Sequence, residues 1–325
     1  MSQPPRQSPS LEARLIEHLR AMATHPAAAS LADDAAHLGD LVLSHDTIAQ
    51  GVHYRPDDPP ESVGWKLAAV NLSDLAGKGA DPVGALLSLT IGDAPDKMVP
   101  GEWEERFLSG VGAAGESYGL PLLGGDTIAL TPGAPRVLGM TVIGRRTDAP
   151  RRDGAKAGDH LVVIGTLGDA MAGLAQLDAD AGASGALVDI YHRPIPQLAA
   201  GRAIAGRVNA MMDVSDGLLL DALRLGAASG LAAEIDLASV PLSRAFVKAR
   251  GRGRAARLFA ASAGDDYALL AALPEQGVEA LRLCLPPRTI MATVGRLASG
   301  TGLALFDGDA PVDLPERLGH EHHGT

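Results

Sequence analysis

The chain has 325 residues, enough for two ordinary domains or one large one with extensions, and 46% of them are apolar, so a sizeable core can be buried. A net charge of −11 argues against a nucleic-acid partner, which needs clustered Lys and Arg to neutralise phosphates. The single cysteine, Cys284, rules out a disulfide framework or a thiolate zinc site within one chain.

Residues 1–10 are polar and Pro-rich and read as a disordered leader without the apolar region of a secretory signal. No apolar run approaches the roughly 20 residues that span a bilayer, so no membrane association and a cytoplasmic location are expected. Leu11, Leu15 and Leu19 form one stripe of a helix predicted over Leu11–Ala23. Beyond it, apolar runs predict strands over Leu41–Ser44, Gly84–Ile91, Leu120–Leu123, Val137–Ile143, His160–Ile164, Asn209–Met212, Tyr267–Leu273 and Met291–Leu297. Helices are predicted over Glu61–Gly77, Glu102–Tyr118, Asp169–Leu177, Pro196–Val208 and Gly217–Ala228. This alternation implies an α/β or α+β fold, and the scarcity of aromatics (3%) suits helices packed closely on sheets. The polar stretch from Arg145 to Gly158, broken by Pro and Gly, separates a first domain, 11–148, from a second, 149–315, with a polar tail at 316–325. His320, His322 and His323 in that tail resemble a metal cluster on paper but read as a frayed end.

The placement of aspartates carries the chemistry. Asp46 follows LVLS, Asp126 follows LPLLGG and Asp213 follows NAMM, each just past a predicted strand, where ligands gather in open α/β sheets. Asp33 and Asp34 precede the first strand, and Asp74 lies within a predicted helix with Asn71 on the same face. Singly, each has an ordinary explanation as a turn residue or helix cap, or, for Asp74, as a partner of Lys78. Together they make a candidate oxygen-ligand bed of the kind that selects Mg²⁺ or Ca²⁺. In DVSDGL (213–218), Ser215 or Asp216 can cap the following helix and its first N–H groups can face an anion; GTLGD (165–169) has the same form. No phosphate-binding Gly-Lys-Ser/Thr loop and no protein-kinase motif is present.

In order and spacing, ADDAA (32–36), SHDTIAQGVHY (44–54), AVNLSDLAGKGADP (69–82), LLGGDT (122–127), DGAKAGD (153–159), GTLGDAMAGL (165–174), DVSDGL (213–218) and AGDDYAL (263–269) resemble the thiamine-monophosphate kinases, part of the aminoimidazole-ribotide-synthetase-like superfamily. The resemblance spans Leu31 to Asp307. It implies a two-domain α/β subunit whose N-terminal domain forms an intersubunit β-barrel in a homodimer, with ATP near the interface. By position, Mg²⁺ ligands would fall on Asp34, Ser44, His45, Asp46, Asp74, Asp126, Asp213 and Asp216. ATP contacts would fall on Tyr118, Gly125, Asp126, Arg152 and Ser215. Thiamine phosphate would meet His53, Asp265 and His320. Ala32 stands where the family has Gly, His45 where it has Thr, Asp265 where it has Glu, and His320 where a C-terminal aromatic is expected.

The implied reaction moves the terminal phosphate of ATP onto a phosphate acceptor by direct in-line transfer. A phosphate with a second pKa of about 6 is largely dianionic at neutral pH, so no general base is expected. The competing readings are another ATP-using superfamily member and a catalytically weakened nucleotide-binding regulator. Selenophosphate synthetase would want a Cys or selenocysteine near the N-terminus, and the hydrogenase-maturation member a C-terminal Cys; this chain has neither.

Overall fold

The computed structural model describes residues 11–320. The expected leader, and His322 and His323 in the tail, lie outside the described residues. Helix α1 (Leu11–Met22) leads through a 3₁₀ turn into β1 (Ala36–Leu38) and β2 (Leu41–Ala49), followed by α2 (Pro60–Gly77), β3 (Asp81–Ile91), α3 (Glu102–Tyr118), β4 (Leu122–Ala129) and β5 (Val137–Arg145). These five strands form one sheet in the order β1-β2-β5-β3-β4, antiparallel except for the β3–β4 pair.

The second half supplies β6 (His160–Ile164), α4 (Asp169–Ala179), α5 (Ala186–His192), α6 (Leu198–Ile204), β7 (Ala210–Val214), α7 (Leu218–Ala228) and β8 (Leu231–Asp236). It continues with α8 (Arg244–Arg250), α9 (Arg254–Ser262), β9 (Ala268–Leu273), α10 (Glu275–Cys284), β10 (Met291–Ser299), β11 (Gly302–Asp307) and β12 (Ala310–Val312). Its seven strands run β12-β11-β8-β10-β6-β9-β7, parallel only between β8 and β11. The fold is therefore a two-domain α/β architecture on two mixed sheets.

Helix α2 joins the halves. Fifteen of its 18 residues are buried, as befits a helix that is apolar on nearly every side. It packs on β2 and β5 of the first sheet and on β7, β9 and α6 of the second. One hydrophobic cluster consequently runs from Val42 and Leu67 to Met211 and Leu269 without a break. The polar stretch after β5 divides the chain in sequence, yet the two sheets share this core.

Close packing around α2 depends on missing side chains. A Cβ on Gly110 of α3 would lie 1.9 Å from the Glu61 carbonyl oxygen, and one on Gly77 would lie 2.9 Å from the Asp213 amide nitrogen.

Several elements differ from expectation. The strand expected over Leu120–Leu123 instead begins at Leu122 and runs to Ala129, with Gly124 and Gly125 inside it. Gly125 has φ +155°, and a Cβ there would meet the Leu87 carbonyl oxygen at 1.9 Å. The helix expected over Pro196–Val208 is shorter, ending at Ile204 in a 3₁₀ turn. The polar tail is seated as far as His320, whose N–H donates to the Asp216 carbonyl (2.9 Å), with Leu318 packed on the second core. No helix of the described residues is long and apolar enough to cross a membrane.

Gly110→Ala is expected to destabilise the protein by about 1–3 kcal/mol through overpacking, despite the roughly 1 kcal/mol by which Ala favours a helix over Gly. Urea unfolding checks this, and an unchanged or raised midpoint would contradict it.

Candidate active site at the junction of the two sheets

β2 alternates between two faces. Val42, Ser44, Asp46 and Ile48 point toward α2, and His45 and Thr47 point away. The three aspartates expected past strand ends stand inside strands instead: Asp46 in β2, Asp126 in β4 and Asp213 in β7. Each apolar run continues beyond the carboxylate, so the sequence places the strand ends too early.

Asp34, Asp74 and Asp213 converge, each offering an oxygen within 4.8 Å of the others. Local bonds orient them. The Ser73 hydroxyl donates to Asp213 (2.7 Å), the Ser44 hydroxyl donates to Asp74, and the Asp46 N–H donates to the Asn71 side-chain oxygen (3.0 Å). The sharing of a helix face by Asn71 and Asp74 thus fixes β2 against α2.

Crowded carboxylates resist ionisation. Burial, and after it the Asp34 charge, pushes the Asp213 carboxyl up to about 8. Burial, followed by the Asp46, Asp213 and Asp34 charges, raises Asp74 well above the usual carboxylate range. Burial together with Asp34 and Asp216 brings Asp46 to about 6 against the opposing pull of His45.

Lys78 does not pair with Asp74. Its fully buried ammonium contacts Asp33, lies 3.1 Å from Asp34, and donates to the Met211 carbonyl (3.2 Å). Burial would raise Asp33, but the His37 hydrogen bond and the Lys78 charge hold it well below the ordinary range. Arg152 pairs with the other oxygen of Asp34.

Asp34, Asp74, Asp213 and Arg152 line a cavity of about 1030 Å³, whose wall also includes Ser44, His45, Asp46, His53, Ser215, Asp216, Asp265 and His320. Asp126, Gly125 and Tyr118 do not line it. Asp126 and Gly125 lie on β4, exposed along its whole length at the sheet edge, and Tyr118 packs edge-on against Trp65 (5.8 Å between centroids). Within one subunit, therefore, Asp126 does not join the other aspartates.

The two His45 ring nitrogens face the hydroxyls of Thr141 on β5 (2.8 Å) and Thr47 (3.3 Å). Ala32 has φ −100°, which does not demand the family's glycine. Neither Ser215 nor Asp216 caps α7 with its side chain. Their N–H groups both donate to Asp221 (3.1 Å each), which occupies the place expected for an anion. At the other such turn, the Gly168 and Ala170 N–H groups donate to Asp266.

Sequence reasoning missed Lys66, Ser73, Asp221 and Arg224. Arg224 lines the cavity and pairs with both Asp216 and Asp221. Ser73 and Lys66 sit on the same helix as Asn71 and Asp74, and helical spacing could have marked them as facing the site or the core.

The donor set consists of carboxylate oxygens, and those of Asp74 and Asp213 have raised proton affinity. Asp34 Oδ2 accepts no hydrogen bond from the described residues, its contact being the ion pair with Lys78 at 3.1 Å. Such a set fits a hard divalent cation.

Because Asp213, Asp74 and Asp46 bind protons more tightly when folded, the folded state holds more protons than the unfolded chain between pH about 4 and about 8. In a chelator, stability is expected to fall as pH rises through this window, and Mg²⁺ to restore more of it at pH 8 than at pH 5. Chemical unfolding across pH measures both; a chelator profile that rises to pH 8 would contradict the crowding.

Residues 32–146 match the AIR synthase related protein N-terminal domain, and residues 156–306 match its C-terminal domain. The thiamine-monophosphate kinase of Escherichia coli strain K12 is 36% identical over 296 residues, covering 88% of this chain and 87% of its own. That of Caulobacter vibrioides is 34% identical over 309 residues, covering 91% and 86%. The solved structure of AaThiL complexed with AMPPCP and TMP superposes with a TM-score of 0.80 at 30% identity, covering 96% of this chain and 97% of that one. The chain belongs to the thiamine-monophosphate kinase family of AIR synthase related proteins.

Proposed function

We propose that this protein transfers the terminal phosphate of ATP to thiamine monophosphate, giving thiamine diphosphate, as a Mg²⁺-dependent cytoplasmic homodimer. The observation that carries the reading is the convergence of Asp34, Asp74 and Asp213 on one cavity, in a chain aligned over most of its length with kinases of this name.

An oxygen of the acceptor phosphate attacks the γ-phosphorus as the bond to the β,γ-bridging oxygen breaks, and ADP leaves. The acceptor is already an anion, so no side chain need remove a proton. Asp34, Asp74 and Asp213, with Asp46 and Asp216 beside them, would hold the metal; His45 would contribute only through its carbonyl. Bound there, Mg²⁺ supplies charge neutralisation between the two polyanions. Ser44 and Ser73 keep Asp74 and Asp213 oriented. Arg152, on the cavity wall, is available to the ATP phosphates together with Ser215. His53, Asp265 and His320 form the acceptor end.

The proposed dimer follows from β4. Leu122, Leu123 and Ile128 are each more than half exposed on an unpaired strand edge, a template for pairing with another chain. A second copy joined there would bring Asp126, Gly125 and Tyr118 to a shared site and would close the two five-stranded sheets into a barrel.

Asp74→Asn is expected to lower kcat for thiamine diphosphate formation by at least about 10²-fold with the fold retained. Near-normal turnover at saturating Mg²⁺ would remove Asp74 from the metal site. Binding of an ATP analogue by the unaltered protein without turnover would favour a regulator. In sedimentation, Leu123→Asp is expected to convert dimer to monomer; a monomeric unaltered protein would defeat the dimer.

A further inference from the structure

We propose that Lys66 is a positioning residue for the acceptor end of the cavity, holding Asp265 and the His53 loop from behind the wall. The proposal rests on the kinase reading above.

Lys66 projects from α2 and is 2% exposed. Its ammonium meets three groups from three separate pieces of chain. It pairs with the Asp265 carboxylate, donates to the His53 carbonyl (3.0 Å), and lies 4.4 Å from the centre of the Tyr191 ring. Two hydrogen bonds and a ring face account for the three N–H groups of an ammonium.

Each partner is itself tied down. The Tyr191 hydroxyl donates to Asp58 (2.8 Å), whose other oxygen lies 3.2 Å from the His192 ring. The Tyr267 hydroxyl donates to Asp265 (2.6 Å), so both oxygens of Asp265 are engaged. Asp265 and Tyr267 have φ +72° and +52°, a left-handed backbone that non-glycine residues adopt only where surroundings enforce it. Their N–H groups donate to the Ser215 and Val214 carbonyls (2.7 and 3.0 Å), which anchors the loop to β7, and Lys66 anchors it to α2.

His53 and Asp265 line the cavity and Lys66 does not. Lys66 therefore acts through them and leaves the carboxylate bed alone. Its loss should weaken acceptor recognition and leave ATP recognition in place.

The test measures steady-state kinetics of the full-length protein with Mg²⁺, varying ATP and thiamine monophosphate separately, for the unaltered chain, Lys66→Met, Asp265→Asn and the double variant. Lys66→Met is expected to raise KM for thiamine monophosphate about tenfold or more and to keep KM for ATP within about twofold. The double variant is expected to fall short of the product of the two single effects, since the two changes share the Lys66–Asp265 pair. Multiplying effects, or equal increases in both KM values, would overturn the proposal. If Lys66→Met does not fold, Lys66→Arg serves, because a longer planar cation cannot reproduce the same three contacts; an unchanged acceptor KM in that variant overturns the proposal. Absence of turnover by the unaltered chain defeats the kinase reading itself, separately from the comparison among variants.

Discussion

Helix α2 has almost no solvent face, and the rest of the molecule is arranged around that constraint. A buried helix must satisfy its polar side chains inside the protein, since an unpaired buried amide, hydroxyl or charge is costly. Asn71 is satisfied by β2, Ser73 by Asp213 on β7, Lys66 by the loop before β9, and Lys78 by the Asp33–Asp34 turn and β7. Asn71, Ser73 and Lys66 on the helix, with Lys78 just past its end, thereby tie it to the strands and loops around the cavity. The same contacts that make α2 tolerable in the core bring the carboxylates together.

The electrostatics follow from this geometry. Burial and the neighbouring carboxylates raise the proton affinity of Asp46, Asp74 and Asp213, while two cations of the chain, Lys78 and Arg152, pair with Asp34. Asp74, Asp46 and Asp213 are left under-neutralised. A site that is partly neutralised on one flank and electron-rich on the other is suited to taking up cations together with phosphate, the balance that transfer between two anions demands.

Much of this was legible in the sequence. The order of motifs located Asp34, Asp46, Asp74 and Asp213, and the period of apolar residues located α2, α3, β3 and β5. Strand ends were not legible, because Asp46 and Asp213 continue their strands on hydrogen bonds supplied by neighbours, which no local pattern records. β8, β11 and β12 escaped because LAAEID and the short runs after Ser299 alternate weakly. The role of Lys66 was hidden for a different reason: its partners stand 13, 125 and 199 positions away in the chain. The capping expected of Ser215 and Asp216 failed because Asp221, inside α7, reaches back to their amides.

The ammonium of Lys78 has one more consequence. Because it sits permanently beneath the Asp33–Asp34 turn, part of the acidic floor is assembled by the polypeptide itself and does not wait for an ion to arrive. A divalent cation bound at Asp34, Asp74 and Asp213 would therefore meet a floor whose Asp34 flank already stands on a cation of the chain's own.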